Sequence, residues 1–160
     1  MRDDTDMNTH DRLLAITDPK DLLKIDSIAP AGHTFAVEEI THFFRISNAL
    51  WQYEEGSGRP HAILTTGLHS NGYIDTLELL TYTPLADRLA LQLVAGIRRA
   101  YQGPIDWVVG SDHAGADFSQ SVARALKCRH AFTEKEKGPD GEIQTWKRHT
   151  IEEDAIVLQV

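Results

Sequence analysis

The second half of the chain alternates helix signals with short apolar runs, and this pattern restricts the fold more than any other feature. Leucine or isoleucine recurs every four positions over residues 85–97, behind the capping residue Thr83, which predicts an amphipathic helix. A predicted strand, Ile105–Val109, then leads through a glycine-bounded turn at Gly110–Gly115 into a second predicted helix over Ala116–Leu126. Helices that alternate with strands in this way predict crossover connections.

Two further apolar runs continue the pattern. Strands are predicted at His130–Thr133 and at Ala155–Leu158, on either side of a polar segment. Because strands buried on both faces are apolar throughout, we predict an α/β fold with a parallel twisted sheet flanked by helices. Ligands of such sheets bind at the carboxyl ends of the strands.

The first half of the chain reads differently. Apolar residues at near-helical spacing predict one amphipathic helix over Thr34–Tyr53, which the glycines and proline of Glu54–Pro60 end. Two β-type runs, Ala62–Thr66 and Tyr73–Leu77, lie on either side of a glycine-containing segment and predict a hairpin-like pair. We therefore divide the chain into an amino-terminal part, residues 1–60, and an α/β core, residues 61–160.

Composition and charge exclude several classes of protein. A single cysteine rules out a disulfide framework, and no apolar run approaches the ~20 residues of a membrane span. The net charge of −8 argues against binding to nucleic acid, which calls for a basic face. We expect a soluble, cytoplasmic protein with no membrane partner. One window, residues 124–149, holds seven basic and four acidic side chains and suits a small anionic ligand or a solvated surface.

The turn between the predicted strand and helix is the first candidate site. Backbone N–H groups and the dipole of the following helix would face whatever occupies Gly110–Gly115, which suits a phosphate or diphosphate. Asp112 and His113 add a carboxylate and an imidazole. The alternative is that the glycines only make the turn of a crossover and that Asp112 only caps the helix.

A second polar segment carries a family resemblance. Residues 64–75, Leu-Thr-Thr-Gly-Leu-His-Ser-Asn-Gly-Tyr-Ile-Asp, resemble the amino-terminal signature of orotate phosphoribosyltransferases, in the type I phosphoribosyltransferase family. The resemblance continues in order through Val109–Gly115, the helix Ala116–Leu126 and the lysine-rich run Phe132–Lys137. The front helix corresponds to the family's amino-terminal helix by position only, in a helical and hairpin hood element. The signature positions that match are Thr66, Gly67, Ser70, Tyr73 and Asp75.

The resemblance implies transfer of ribose 5-phosphate from phosphoribosyl diphosphate to a nucleobase, most simply orotate, with release of diphosphate. It also implies Mg²⁺ bound through the substrate's diphosphate, and a homodimer in which a mobile loop reaches the neighbouring subunit. Lys135 and Lys137 would be catalytic, neutralising the leaving group. Tyr73 and Ile74 would lie against the flat base. The implied substrate-binding residues are Thr65, Thr66, Gly67, Ser70, Tyr73, Ile74, Asp75, Ser111, Asp112, His113, Ala114 and Gly115.

The sequence departs from the family pattern at three cationic positions. Neutral residues, Thr65 and Ala114, and an acidic one, Glu134, stand where the family carries basic side chains. These changes predict weak affinity for a highly charged substrate unless Lys147, Arg148 or His149 compensates. The family's ribose-phosphate loop would follow the last apolar strand, so we also expect the chain to be an incomplete phosphoribosyltransferase that is truncated at its carboxyl end.

Two other functions stay open at this point. The run Gly-Ser-Asp-His-Ala-Gly at residues 110–115 also resembles the motif of B-type ribose-5-phosphate isomerases, which would need Cys128 as a reactive thiol. The missing cations and loop would also suit a non-catalytic module that binds a nucleotide or a protein. Trp146 is a candidate either to close over a base or to dock on the protein's own surface. The histidines show no spacing typical of a zinc site.

Overall fold

The computed structural model describes residues 7–58, 60–139, 141–145 and 147–160, without the side chains of Asp112 and His113. Trp146 lies outside the described residues, so both interpretations of it stay open. The chain forms two compact units, Met1–Pro84 and Leu85–Val160. The functional division after residue 60 stays a prediction. None of the helices among the described residues has the length and hydropathy required to cross a membrane.

The first unit is mainly helical, with short strand pairs at its carboxyl end. Phe35 and Phe43 are buried in its core and meet edge to face at 5.3 Å, and α1 and the 3₁₀ helix both contact α3. Its elements are α1 (Thr9–Leu14), a 3₁₀ helix (Pro19–Lys24), α2 (Ile25–Ile28), α3 (Val37–Ile46), β1 (Leu50–Gln52), β2 (Ala62–Ile63), β3 (His69–Ser70), β4 (Gly72–Ile74) and α4 (Thr76–Leu80).

The long helix predicted over Thr34–Tyr53 is wrong at its carboxyl end. Helix α3 ends at Ile46, and Asn48 then adopts a left-handed backbone with φ of 59°. Asparagine tolerates that conformation better than most residues, so it ends the helix and redirects the chain. Leu50–Gln52 form a strand instead, antiparallel to β4, with Leu50 opposite Ile74.

The predicted hairpin between Ala62–Thr66 and Tyr73–Leu77 is also wrong in its pairing. Gly67, with φ of 80°, closes a tight turn in which its N–H donates to the Leu64 carbonyl at 2.8 Å. The chain therefore reverses within a few residues, and β2 pairs with β3 rather than with β4. The residues from Thr76 onward form helix α4 and not a strand.

The second unit confirms the predicted α/β class. Its sheet has the strand order β7-β6-β5-β8, in which β5 pairs in parallel with both β6 and β8, and β7 pairs antiparallel with β6. The antiparallel strand β7 was not predicted. The elements are α5 (Thr83–Ala100), β5 (Trp107–Ser111), α6 (Asp112–Leu126), β6 (Arg129–Gly138), β7 (Gly141–Thr145) and β8 (Val157–Gln159).

The two faces of strand β5 are buried by different partners. Val108 packs with Ala90 of α5 and with Val122 of α6 on the helix face. Trp107 and Val109 point to the opposite face, where Ala131, Ile151 and Ala155 cover them. Burial on both faces explains why residues 107–109 are apolar throughout.

Candidate active site at the carboxyl edge of the sheet

The junction between β5 and α6 differs from the predicted loop. The strand runs on to Ser111 and the helix begins at Asp112, so the expected turn over Gly110–Gly115 is absent. Gly110 permits this because a Cβ there would collide with the Gly115 carbonyl and the Ser119 hydroxyl. The glycine therefore lets helix and strand approach each other directly.

The start of α6 supplies the donors that the turn was expected to supply. The first N–H groups of a helix have no partner within it, and the Ser111 side chain makes no capping hydrogen bond to them. Gly110 and Ser111 belong to the β5–β6 ladder, and Gly115 has the Ser111 carbonyl four residues before it as its helical partner. The amides suited to an anion are thus narrowed to those of Asp112, His113 and Ala114, where the helix dipole also favours negative charge.

The predicted lysines stand on the neighbouring strand. Ser111 pairs in register with Thr133 of β6, the last residue of the strand predicted over His130–Thr133. Because side chains alternate along a strand, Lys135 and Lys137 lie on the same face as Thr133, whereas Glu134 and Glu136 lie on the other. Lys135 is two residues, about 7 Å, further along the strand than Thr133. The start of α6 and this lysine therefore share the carboxyl edge of the sheet.

The glutamates on the opposite face of β6 are paired with the cations that follow β7. Lys147 Nζ lies 2.6 Å from the Glu136 carboxylate, and Arg148 Nε lies 3.3 Å from that of Glu134. The hydrogen bond from Lys147 lowers the pKa of Glu136. Arg148 therefore neutralises the carboxylate of Glu134, the acidic residue that stands where the family carries a basic one. The ring of His149 lies 5.8 Å from that of Phe132.

Sequence reasoning missed two polar clusters of this unit, one at the carboxyl edge and one at the amino ends of β5 and β6. In one, the Thr133 hydroxyl donates to Gln144 Oε1 at 2.6 Å, across the strand pair β6–β7. In the other, Glu152 accepts hydrogen bonds from Arg129 and from the Trp107 indole. The alternation of Glu142–Thr145 was the only signal for β7, and the polar residues around it concealed that signal.

The candidate residues of the first unit form one continuous surface segment. Thr65, Thr66 and Gly67 make the exposed turn between β2 and β3, and the Ser70 hydroxyl donates to the Gly72 carbonyl at 2.6 Å. Asp75 caps α4 by accepting from the Leu77 N–H at 3.1 Å. Tyr73 and Ile74, at 51% and 55% exposure, leave their side chains open to solvent. The site candidates thus fall in two groups, one in each unit.

The position of Cys128 argues against the isomerase interpretation. Cys128 follows the carboxyl end of α6 and packs against the core of the second unit, where burial raises the pKa of its thiol. The glycine-bounded motif lies at the other end of this 15-residue helix, about 22 Å away. A thiol at that distance does not reach a sugar held at residues 110–115.

No family model matches the sequence. Curated relatives do: the chain is 38% identical to an orotate phosphoribosyltransferase of Heliobacterium modesticaldum over 114 residues, which is 71% of this chain and 53% of that protein. It is 34% identical to an orotate phosphoribosyltransferase of Erythrobacter litoralis over 123 residues, 77% of this chain and 58% of that protein. The chain thus spans about half the length of the curated relatives it matches.

A solved structure shares the fold. The structure of Leishmania donovani UMP synthase superimposes with a TM-score of 0.53 at 18% identity, covering 85% of this chain and 26% of that one. The sheet and its helices therefore define a fold of the type I phosphoribosyltransferase class. In sequence the chain is similar to orotate phosphoribosyltransferases, of which it covers 53% and 58% in the two relatives named above.

Proposed function

We propose that the chain takes part in transfer of ribose 5-phosphate from phosphoribosyl diphosphate to orotate, with release of diphosphate. In this reaction the bond from the ribose C1′ to a diphosphate oxygen breaks, and a bond from C1′ to a ring nitrogen of the base forms. The observation that carries the proposal is the start of α6, which has no side-chain cap from Ser111, at the carboxyl end of β5, next to the strand β6 that carries Lys135. The names of the curated relatives support the choice of reaction.

The electrostatics of this edge suit the leaving group. Negative charge grows on the diphosphate as the C1′–O bond breaks, so groups that stabilise the departing oxygens lower the barrier. The amides of residues 112–114 would donate to those oxygens, and Lys135, with Lys137 further along the strand, would supply positive charge. These groups belong to regular elements and need little rearrangement during the reaction.

The base would be held by the first unit. Tyr73 and Ile74 expose flat and apolar surface that suits a planar ring, and the hydroxyls of Thr65, Thr66 and Ser70 lie in the same short segment. Hydroxyl groups both donate and accept hydrogen bonds, as recognition of orotate's carbonyl and N–H groups requires. We propose that this segment of the first unit binds the base.

Magnesium would enter as a complex with the substrate. Within the described residues no three histidine, cysteine or acidic side chains group together, and Mg²⁺ commonly uses substrate phosphates and water as most of its ligands. We therefore propose that the diphosphate oxygens hold the ion. The proposal also includes a homodimer, which sedimentation velocity would test, and a cytoplasmic location.

Binding and turnover test the proposal together. Isothermal titration of the chain with inorganic diphosphate and Mg²⁺ should show binding, and addition of orotate and phosphoribosyl diphosphate should give orotidine 5′-phosphate. Absence of diphosphate binding would overturn the assignment of the carboxyl edge. Binding without turnover would instead support the non-catalytic alternative.

Lys135→Ala tests the role assigned to the lysine. We expect diphosphate affinity to fall about tenfold or more, because hydrogen bonds to charged groups are worth more than neutral ones. The melting temperature should change little, since Lys135 is exposed. Lys20→Ala, which removes one positive charge from an exposed position of the first unit, is the matched control. Equal loss of affinity and melting temperature in Lys135→Ala would show a structural lysine.

A further inference from the structure

Gln144 lies on the strand next to the proposed diphosphate-binding lysine, a position that no sequence pattern predicted. It is the register partner of Lys135 in the antiparallel pair β6–β7. Register partners of an antiparallel pair share one face, with Cβ atoms about 5 Å apart. The Gln144 side chain is therefore the nearest cross-strand neighbour of the lysine proposed to neutralise the diphosphate.

Thr133 holds the amide of Gln144 in one orientation. Thr133 is 9% exposed, and its hydroxyl donates to Gln144 Oε1 at 2.6 Å. Since the carbonyl oxygen of the amide is used by this bond, the two N–H donors on Nε2 face away from Thr133. Thr133 is in turn the register partner of Ser111, the residue directly before α6. The hydrogen bond from Thr133 thus orients the amide, and Thr133 lies at the end of the sheet where α6 begins.

The surroundings favour an anion as the acceptor. Lys135 and Lys137 lie on the face that carries Gln144, and of the β7 residues on this face only Glu142, opposite Lys137, carries a negative charge. The glutamates of β6 lie on the other face, where Lys147 and Arg148 pair with them. An exposed amide between two lysines and a buried hydroxyl therefore presents donors to negatively charged oxygen.

We propose that Gln144 is a further binding residue for the diphosphate group, donating from Nε2 to an oxygen that Lys135 neutralises, and that Thr133 is its positioning residue. This inference rests on the proposed function, because the diphosphate is the ligand that function assigns to this edge. In this proposal the diphosphate is bound by an uncharged donor on β7 as well as by the amides of α6 and the lysines of β6.

Substitutions that keep the shape of the side chain test this proposal. Gln144→Met keeps the length of the side chain without its donors, and Gln144→Glu places a carboxylate beside the diphosphate. In titrations of the full chain with inorganic diphosphate and Mg²⁺, we expect affinity to fall about tenfold in Gln144→Met and further in Gln144→Glu. Gln159→Met, at an exposed position of β8, is the control and should bind as the unmodified chain does.

The positioning role has its own readout. Thr133→Val should weaken diphosphate binding by a smaller factor than Gln144→Met, and Thr133→Ser, which restores the hydroxyl, should recover most of the affinity. The double variant Thr133→Val with Gln144→Met should bind no more weakly than Gln144→Met alone, because both changes remove the same contact. Melting temperatures measured in parallel separate binding from folding.

The outcomes distinguish this inference from the function beneath it. If the unmodified chain binds diphosphate and Gln144→Met binds it equally well, the role of Gln144 is overturned and the proposed function stands. If the unmodified chain does not bind diphosphate, the proposed function fails first. If Gln144→Met binds diphosphate more weakly only because a lowered melting temperature leaves part of the protein unfolded, Gln144 is structural and the inference is overturned.

Discussion

At the scale of single residues, Glu152 illustrates how one carboxylate orders a surface segment. Arg129 donates to it from two nitrogens, at 2.6 and 3.0 Å, and the Trp107 indole donates at 2.9 Å. The Arg129 guanidinium also lies 4.2 Å from the centre of the Trp107 ring. Hydrogen bonds from Arg129, and then from Trp107, lower the pKa of Glu152 to about 2. The segment that carries Ile151 and Ala155 is thereby held over the sheet.

Replacing this carboxylate should loosen that segment. Glu152→Ala removes three hydrogen bonds to the sheet, so we expect a lower melting temperature and faster amide hydrogen exchange around residues 151–156. Glu153→Ala removes the same charge one position along, at an exposed site, and is the control. Equal melting temperatures for the two variants would contradict the role given to Glu152.

At the scale of secondary-structure elements, the contact of β5 with α6 depends on Gly110. A Cβ at this position would collide with the Gly115 carbonyl and the Ser119 hydroxyl, and the backbone of the helix cannot retreat without disturbing the core around Val122. A Cβ on Gly115 itself would meet the Val160 carbonyl at 3.3 Å. The two glycines are thus packing residues, which allow close approach of α6 to β5 and to the Val160 carbonyl.

Gly110→Ala is therefore expected to destabilise the second unit. Overpacking of this kind costs about 1–3 kcal/mol of the free energy of unfolding, which urea denaturation would measure. Gly96→Ala in α5 is the matched control, since its Cβ would meet only Arg99 Nη2 at an ordinary 3.7 Å. That change should be neutral or stabilising by up to about 1 kcal/mol. A neutral Gly110→Ala would show that the helix does not approach the strand as described.

At the scale of the whole molecule, both units contain titratable groups that make stability depend on pH. In the first, burial raises the pKa of Glu39, but hydrogen bonds from His33, the Ala36 amide and His10 outweigh it and leave the pKa lowered. In the second, burial and then nearby His149 lower the pKa of His130, whose ring lies 2.7 Å from the Ser119 hydroxyl. Each group binds fewer protons in the folded state than in the unfolded state.

Stability should accordingly fall in two stages as the pH decreases. The contribution of His130 to stability is present above pH 6.5, which is its pKa in the unfolded state, and declines as the pH falls below it. The contributions of Glu39 and Glu152 to stability are present above pH 4.5, the pKa of glutamate in the unfolded state, and are lost as the pH falls further. Urea midpoints measured across this range would show both stages, and His130→Gln should remove only the first. A midpoint independent of pH down to 4.5 would contradict the assignment of His130.

The sequence predicted those features that depend on neighbours along the chain. The four-residue spacing of leucines and the capping residue Thr83 predicted α5, and the apolar runs predicted β5 and the α/β class. The predictions failed where contacts between residues that are distant in the sequence determine the secondary structure. Leu50 and Trp51 fit a helical spacing but form a strand, because β4 offers a partner and Asn48 ends the helix before them.

The candidate site divides along the same line. The sequence by itself indicated Lys135 and Lys137 as candidate cations of the site, but it predicted a strand only over His130–Thr133. Only the tertiary structure decided that the helix starts directly at the strand end, that Arg148 and Lys147 neutralise the glutamates, and that Thr133 orients Gln144. Periodicity is a local property of the chain, whereas register and packing join residues that the sequence keeps apart.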